Sequence, residues 1–137
     1  MRSGRKGFTE PELVTTKKST ANGLMWLLTP TMDTATIKEV RPAVEVTNIS
    51  ADVKVALGWV LSDDGETWPA STAAPGLFDV ATIAAQTTEG VFYATAFENI
   101  ASVLTKKFVR FGAWIKNDSG STYETALVSV RLEFKKF

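Results

Sequence analysis

The chain has 137 residues, 45% of them hydrophobic, which is one domain by length with enough apolar material for a core that needs no staples. Lysine plus arginine (15) and aspartate plus glutamate (15) cancel, so the cationic excess of a generic nucleic-acid binder is missing. Cysteine and histidine are both absent, which removes disulfide scaffolds, thiolate nucleophiles, cysteine/histidine zinc sites, imidazole bases and serine–histidine triads, and argues against an enzyme.

In chain order, residues 1–20 mix Gly4, Gly7 and Pro11 with charges and keep neither a helical nor a strand period. They are expected to be an extended or flexible N-terminal arm, with residues 21–137 forming the folded domain. The opening residues carry no apolar stretch of signal-peptide length, and the longest apolar run, Leu24 to Leu28, falls far short of the roughly 20 residues of a membrane helix. Synthesis in a cytoplasm and no membrane partner follow as expectations.

From residue 21 the pattern is β, rich in Thr and Val with frequent Gly and Pro. Gly23 to Leu28 and Thr36 to Val40 are strand candidates. Ala43 to Ile49 follows with Val44 and Val46 on a common face, and Val53 to Leu61 is the clearest strand. There Val53, Val55, Leu57, Trp59 and Leu61 alternate onto one face. Asn48, Ser50, Ala51 and Asp52 are turn formers, so these two strands are expected to pair as a hairpin.

Ser62 to Trp68 then reads S-D-D-G-E-T-W, and Asp-Gly between apolar runs is a hairpin signal because both residues tolerate positive φ. The spacing of Asp63, Gly65, Thr67 and Trp68 resembles the Asp-box of sialidase-like propellers, which implies a tightly folded turn and no catalytic role. Further strands are expected over Leu77 to Ile83 and Gly90 to Ala96. Phe97, Ile100, Ala101 and Leu104 sit at helical spacing and predict a turn or two of helix.

Lys107 to Lys116 is a strand with Val109, Phe111, Ala113 and Ile115 on one face and Phe108, Arg110, Gly112 and Trp114 on the other. Asn117 to Ser121 is turn chemistry, and Thr122 to Phe134 returns, so the two are expected to pair in a long hairpin. About eight strands at this spacing predict an all-β fold, a single antiparallel β-sandwich that is jelly-roll-like or simpler.

The balanced charge is unevenly placed. Residues 1–28 carry five cations and two acids, residues 29–99 three cations and ten acids, and residues 100–137 seven cations and three acids. Both ends are basic and the middle acidic, which suits association of copies through opposite-signed patches. The candidate partner contacts are Arg2, Arg5, Lys6, Lys17 and Lys18 on the arm. Phe108, Arg110, Trp114 and Lys116 join them on the strand whose polar face carries an aromatic ring. Core packing competes for the other tryptophans, Trp26 and above all Trp59.

Asp63, Asp64 and Glu66 offer three oxygen donors to a hard cation such as calcium, but without the ligand series of a dedicated loop, and a solvated turn accounts for them better. No cofactor is expected. Exposed Trp114 and Trp68 with Tyr123 would suit a glycan, which makes a carbohydrate-binding module the alternative function. Nucleic acid ranks below a protein partner, because the arm has no aromatic residues interleaved with its cations.

A small all-β chain rich in Thr, Ala and Ser, with a short charged arm and ending in KFVRFGAWIKNDSGSTYETALVSVRLEF, resembles structural proteins of tailed bacteriophage particles. Capsid decoration proteins and small head or tail components are among these. The resemblance is one of organisation and rests on no diagnostic motif. It implies a non-enzymatic, multi-copy subunit located in a virion, whose arms and strand edges contact neighbouring subunits.

Overall fold

A computed structural model describes residues 12–16, 23–78, 86–118 and 124–137. Ten strands are described: β1 Glu12–Thr16, β2 Leu24–Leu27, β3 Met32–Asp33, β4 Glu39–Thr47, β5 Val53–Ser62, β6 Gly76–Leu77, β7 Gly90–Tyr93, β8 Glu98–Asn99, β9 Phe108–Asn117 and β10 Glu124–Lys135. All pairings are antiparallel, and they form two sheets.

The first sheet runs β1-β10-β4-β7, with β8 also on β4. The second runs β2-β9-β5-β6, with β3 also on β9. Counting β2 with β3 and β7 with β8 as single columns leaves eight columns. Every consecutive pair except β5 and β6 changes sheet, which is the jelly-roll order. The sequence-based fold class is borne out.

The reason lies in the alternation. Val40, Val44 and Val46 on β4 face inward, as do Ala126, Val128 and Val130 on β10, Val53, Val55 and Leu57 on β5, and Val109, Phe111, Ala113 and Ile115 on β9. All are buried in one cluster between the sheets. A period of two gives each strand one apolar face, and only a second sheet can cover it. Phe78 packs on the inner face of the second sheet, edge-on to Trp59 at 5.0 Å and stacked on Phe111 at 6.0 Å.

Two expected hairpins are corrected. β4 and β5 do not pair, because β4 belongs to the first sheet and β5 to the second. Asn48 (φ 49°) and Asp52 (φ 66°) take left-handed backbone at the two ends of the connection and turn the chain from one layer to the other. The long C-terminal pair is divided in the same way, with β9 on β5 and β10 on β4. A turn between two half-buried strands has one composition whether they lie side by side or face to face, and here facing inward surfaces wins.

Smaller corrections follow. Thr34–Thr36 is a single 3-10 turn capped by Asp33, whose side chain accepts from the Ala35 N–H at 2.9 Å, and the strand expected from Thr36 begins at Glu39. The helix expected over Phe97–Leu104 is instead the short strand β8 and one turn. In that turn the Val103 and Leu104 N–H groups both donate to the Ile100 carbonyl, while Ile100 and Leu104 are buried. β6 covers only the start of the strand expected over Leu77–Ile83, and residues 79–83 lie outside the described residues. Within the segment read as an arm, Glu12–Thr16 pairs with β10 from Thr16↔Glu124 to Glu12↔Val128, so this part is an edge strand.

Candidate functional site

The strand singled out for partner contact, β9, lies inside the second sheet, and its outward face is dressed by the protein's own loops. Phe108, Arg110, Trp114 and Lys116 all point outward and all are half-buried. The connection from β5 to β6 crosses over this face. Its Trp68 ring lies 6.0 Å from the Arg110 guanidinium, and its Ser71 carbonyl accepts from the Met25 N–H on the far edge strand at 2.7 Å. Beneath it Met25, Ala56 and Val60, all on the outward face, are buried.

Each β9 residue has its own cover. Gly65 sits against the Phe108 ring, leaving 3.3 Å between that ring and any added Cβ, and the Lys107 amine lies 5.3 Å from the ring centre. Arg110 Nε donates to the Thr29 carbonyl at 2.8 Å. Thr29 is buried and its hydroxyl accepts from the Phe111 N–H at 2.9 Å, extending the β2 edge with a side chain where the strand has ended. Trp114 packs against Gly23, whose φ of +85° and missing Cβ allow the approach.

Lys116 closes the row at the other end. It pairs with Asp118 at 3.6 Å, and Lys54, opposite it in register, reaches the same carboxylate at 3.3 Å. The hydrogen bond from Lys54 in particular holds the Asp118 carboxyl below its ordinary value. Arg2, Arg5, Lys6, Lys17 and Lys18 lie outside the described residues, as does Tyr123.

The acidic turn is built for its own geometry. Asp64 accepts from the Glu66 and Thr67 N–H groups at 2.8 and 2.7 Å, from the Thr67 hydroxyl at 2.9 Å and from the Ser62 hydroxyl at 2.9 Å. The backbone bonds from Thr67 and Glu66 lead in pulling its carboxyl far below the ordinary range. Asp63 instead pairs with Lys106 at 3.6 Å. The tight hairpin expected at Asp-Gly is corrected: only Gly65 takes positive φ, at 76°, so the turn opens into a longer connection that ends at β6. Among the described residues no three acidic side chains converge as a metal site.

The outward face of the first sheet is a ladder of paired charge. Arg41 and Glu133 face each other at 2.5 Å, Lys135 reaches Glu39 at 4.0 Å, and the Phe97 ring lies 5.0 Å from the Arg41 guanidinium and 4.5 Å from the Lys135 amine. The Arg41 bond holds Glu133 below its ordinary value.

Sequence reasoning passed over a different surface. Leu77, Val91, Tyr93 and Val103 are exposed, and all lie along the side of the sandwich where β6 ends one sheet and β7 and β8 end the other. A groove of about 470 Å³ opens there, lined among others by Trp59, Leu61, Leu77, Ile100 and Val103. Edge position is a property of topology, so the only signal in the sequence was the absence of lysine and arginine from residues 55–105.

No family model and no curated protein matches the chain. Solved structures do. The VP2 protein of infectious bursal disease virus, in derived T=1 particles of its D431N mutant, superposes with a TM-score of 0.53 at 10% identity, covering 90% of this chain and 29% of that one. The Gx strain structure of the same virus gives a TM-score of 0.55 at 12% identity, again over 90% and 29%. A VP2 subviral particle gives 0.50 at 10% identity over 90% and 30%. The chain thus shares a fold with these proteins and spans about three-tenths of their length.

No helix among the described residues is long and apolar enough to cross a membrane.

Proposed function

We propose that this chain is a non-enzymatic structural subunit of a multi-copy virus particle, with other protein subunits as its partners. The finer reading is a tailed-bacteriophage virion protein, either a capsid decoration protein or a head or tail component. The observation that carries the reading is the jelly-roll strand order, which over 90% of the chain superposes on VP2 solved as T=1 particles. The bacteriophage assignment rests on the composition, the charged arm and the long C-terminal strands.

The geometry also bears on the glycan alternative. A stacking platform needs a ring face open to solvent, whereas Trp114 is packed against Gly23 and Trp68 lies over Arg110. Protein contact therefore has the better support. The arm cations and the outward residues of β9 are proposed contacts, the arm first, since β9 is half-covered by its own loop.

Sedimentation of the full chain and of a chain lacking residues 1–11 tests the role. The truncation stops before Glu12 because Glu12–Thr16 belongs to the first sheet. The expected outcome is an unchanged far-ultraviolet spectrum and thermal transition, with multi-copy species reduced. Turnover of any substrate, abolished by replacing one acidic side chain, would overturn the reading.

A further inference from the structure

The edge strand β2 reads Leu-Met-Trp-Leu, without the lysine, proline or charge that keeps natural sheet edges from pairing with other chains. The direction of its ladder groups follows from two bonds. The Leu28 N–H donates to the Phe111 carbonyl of β9, whereas the Met25 N–H donates to the Ser71 carbonyl on the other side. Ladder groups alternate along a strand, so Leu24 and Trp26 bond β9, while Met25 and Leu27 face the edge. These are the positions at which an added strand would bond.

Ser71 fills one of them. It belongs to residues 63–75, the connection between β5 and β6, although those two strands are already neighbours in the sheet. The connection runs past β9 to the far edge, reverses in a turn closed by the Ala73 N–H on the Ala70 carbonyl at 2.9 Å, and returns. At its tip the Ser71 carbonyl takes the Met25 N–H at 2.7 Å, as the carbonyl of a paired strand would. On the way Trp68 lies over Arg110, and Met25, Ala56 and Val60 are buried on the same outward face. The seat is loose. Pro69 to Ala74 are all exposed, and a cavity of about 190 Å³ lined by Leu24, Met25, Trp26 and Ser71 remains where the connection meets β2. Segments with few buried contacts open at low cost.

We infer that residues 63–75 are a detachable guard of the β2 edge. Seated, they withhold that edge and the apolar strip beneath them from other chains. Lifted, they let β2 pair antiparallel with β2 of a second copy. A strand without charge meets its own copy without repulsion, and a two-fold axis sets it antiparallel to itself. The guard is independent of the subunit role proposed above, and its failure would leave that role untouched.

Deleting Pro69 to Ala74 removes the tip and leaves the turn around Asp64 in place. With folding checked by circular dichroism, this variant should associate with itself at least about tenfold more tightly than the unaltered chain in sedimentation. Adding Leu27→Lys, a charge on the edge itself, should return association to the level of the unaltered chain.

Trp68→Ser, which takes the ring from Arg110, decides the matter if the deletion fails to fold. In hydrogen exchange its Met25 amide should exchange at least about tenfold faster than in the unaltered chain, with the Trp26 amide, bonded to β9, unchanged. A folded deletion variant that associates no more than the unaltered chain overturns the inference. So does added association that survives Leu27→Lys. In Trp68→Ser, a Met25 amide that keeps its protection, or equal acceleration of Met25 and Trp26, overturns it as well.

Discussion

Asp64 shows how one side chain is committed by its neighbours. Two adjacent aspartates precede Gly65, and nothing in their chemistry distinguishes them. The choice is made by backbone geometry: with Gly65 at φ 76°, the Glu66 and Thr67 N–H groups converge on Asp64, while Ser62 Oγ accepts from Gly65 N at 3.0 Å and donates to Asp64. All four donors to Asp64 favour the ionised carboxylate, so its acidity is raised in the folded state relative to the ordinary value of 3.8. A carboxyl depressed on folding contributes stability that is complete above its unfolded value and lost as pH falls below it. Asp64→Asn keeps an acceptor for the backbone but cannot titrate. Urea midpoints should therefore fall less steeply in this variant than in the unaltered chain as pH drops from neutral through 3.8, with the residual slope due in part to Asp118 and Glu133. Equal slopes would show that the turn does not need the charge. That the segment is a turn was legible from Asp-Gly; which acid closes it was not.

Strands were more legible than their partners. The inward faces of β5 and β9 follow from alternation alone, because an apolar residue at every second position has one place to go. Pairing does not follow, since in a jelly roll most sequence neighbours face one another across the core. Both expected hairpins failed for that reason, and the same reason concealed the exposed side at β6–β8. β1 was missed because ELVTT is short and lies next to charged, glycine-containing sequence. Close approach of strands is another feature that a single chain hides. Gly112, in the middle of β9, is opposite Leu27, and a Cβ there would overlap the Trp26 carbonyl oxygen, a backbone atom that cannot rotate away. Gly112→Ala should therefore destabilise the protein by about 1–3 kcal/mol, the usual range for overpacking, despite alanine's better strand entropy. Equilibrium urea unfolding measures this, and an unchanged midpoint would mean that β2 can move aside without cost.

At the scale of the whole molecule, charge and topology have to be read together. The basic and acidic stretches were visible in the sequence, but only the strand order shows which elements close the sides of the body, with β1 and β2 at one edge and β6, β7 and β8 at the other. In the proposed multi-copy role, exposed charges act at long range and set how fast copies meet, whereas apolar contacts act only after contact and set how long they stay. The two contributions separate by ionic strength, since the screening length shrinks from about 30 Å at 0.01 M salt to about 10 Å at 0.1 M. Over that range the association rate of the chain with itself, followed by light scattering after rapid dilution or mixing, should fall roughly tenfold or more, as electrostatically steered encounters do. The dissociation rate should change by less than about twofold, because burial of apolar groups is little affected at these concentrations. If salt instead accelerates dissociation and leaves association alone, the copies are held by short-range ion pairs between them, and long-range charge has no part in bringing them together.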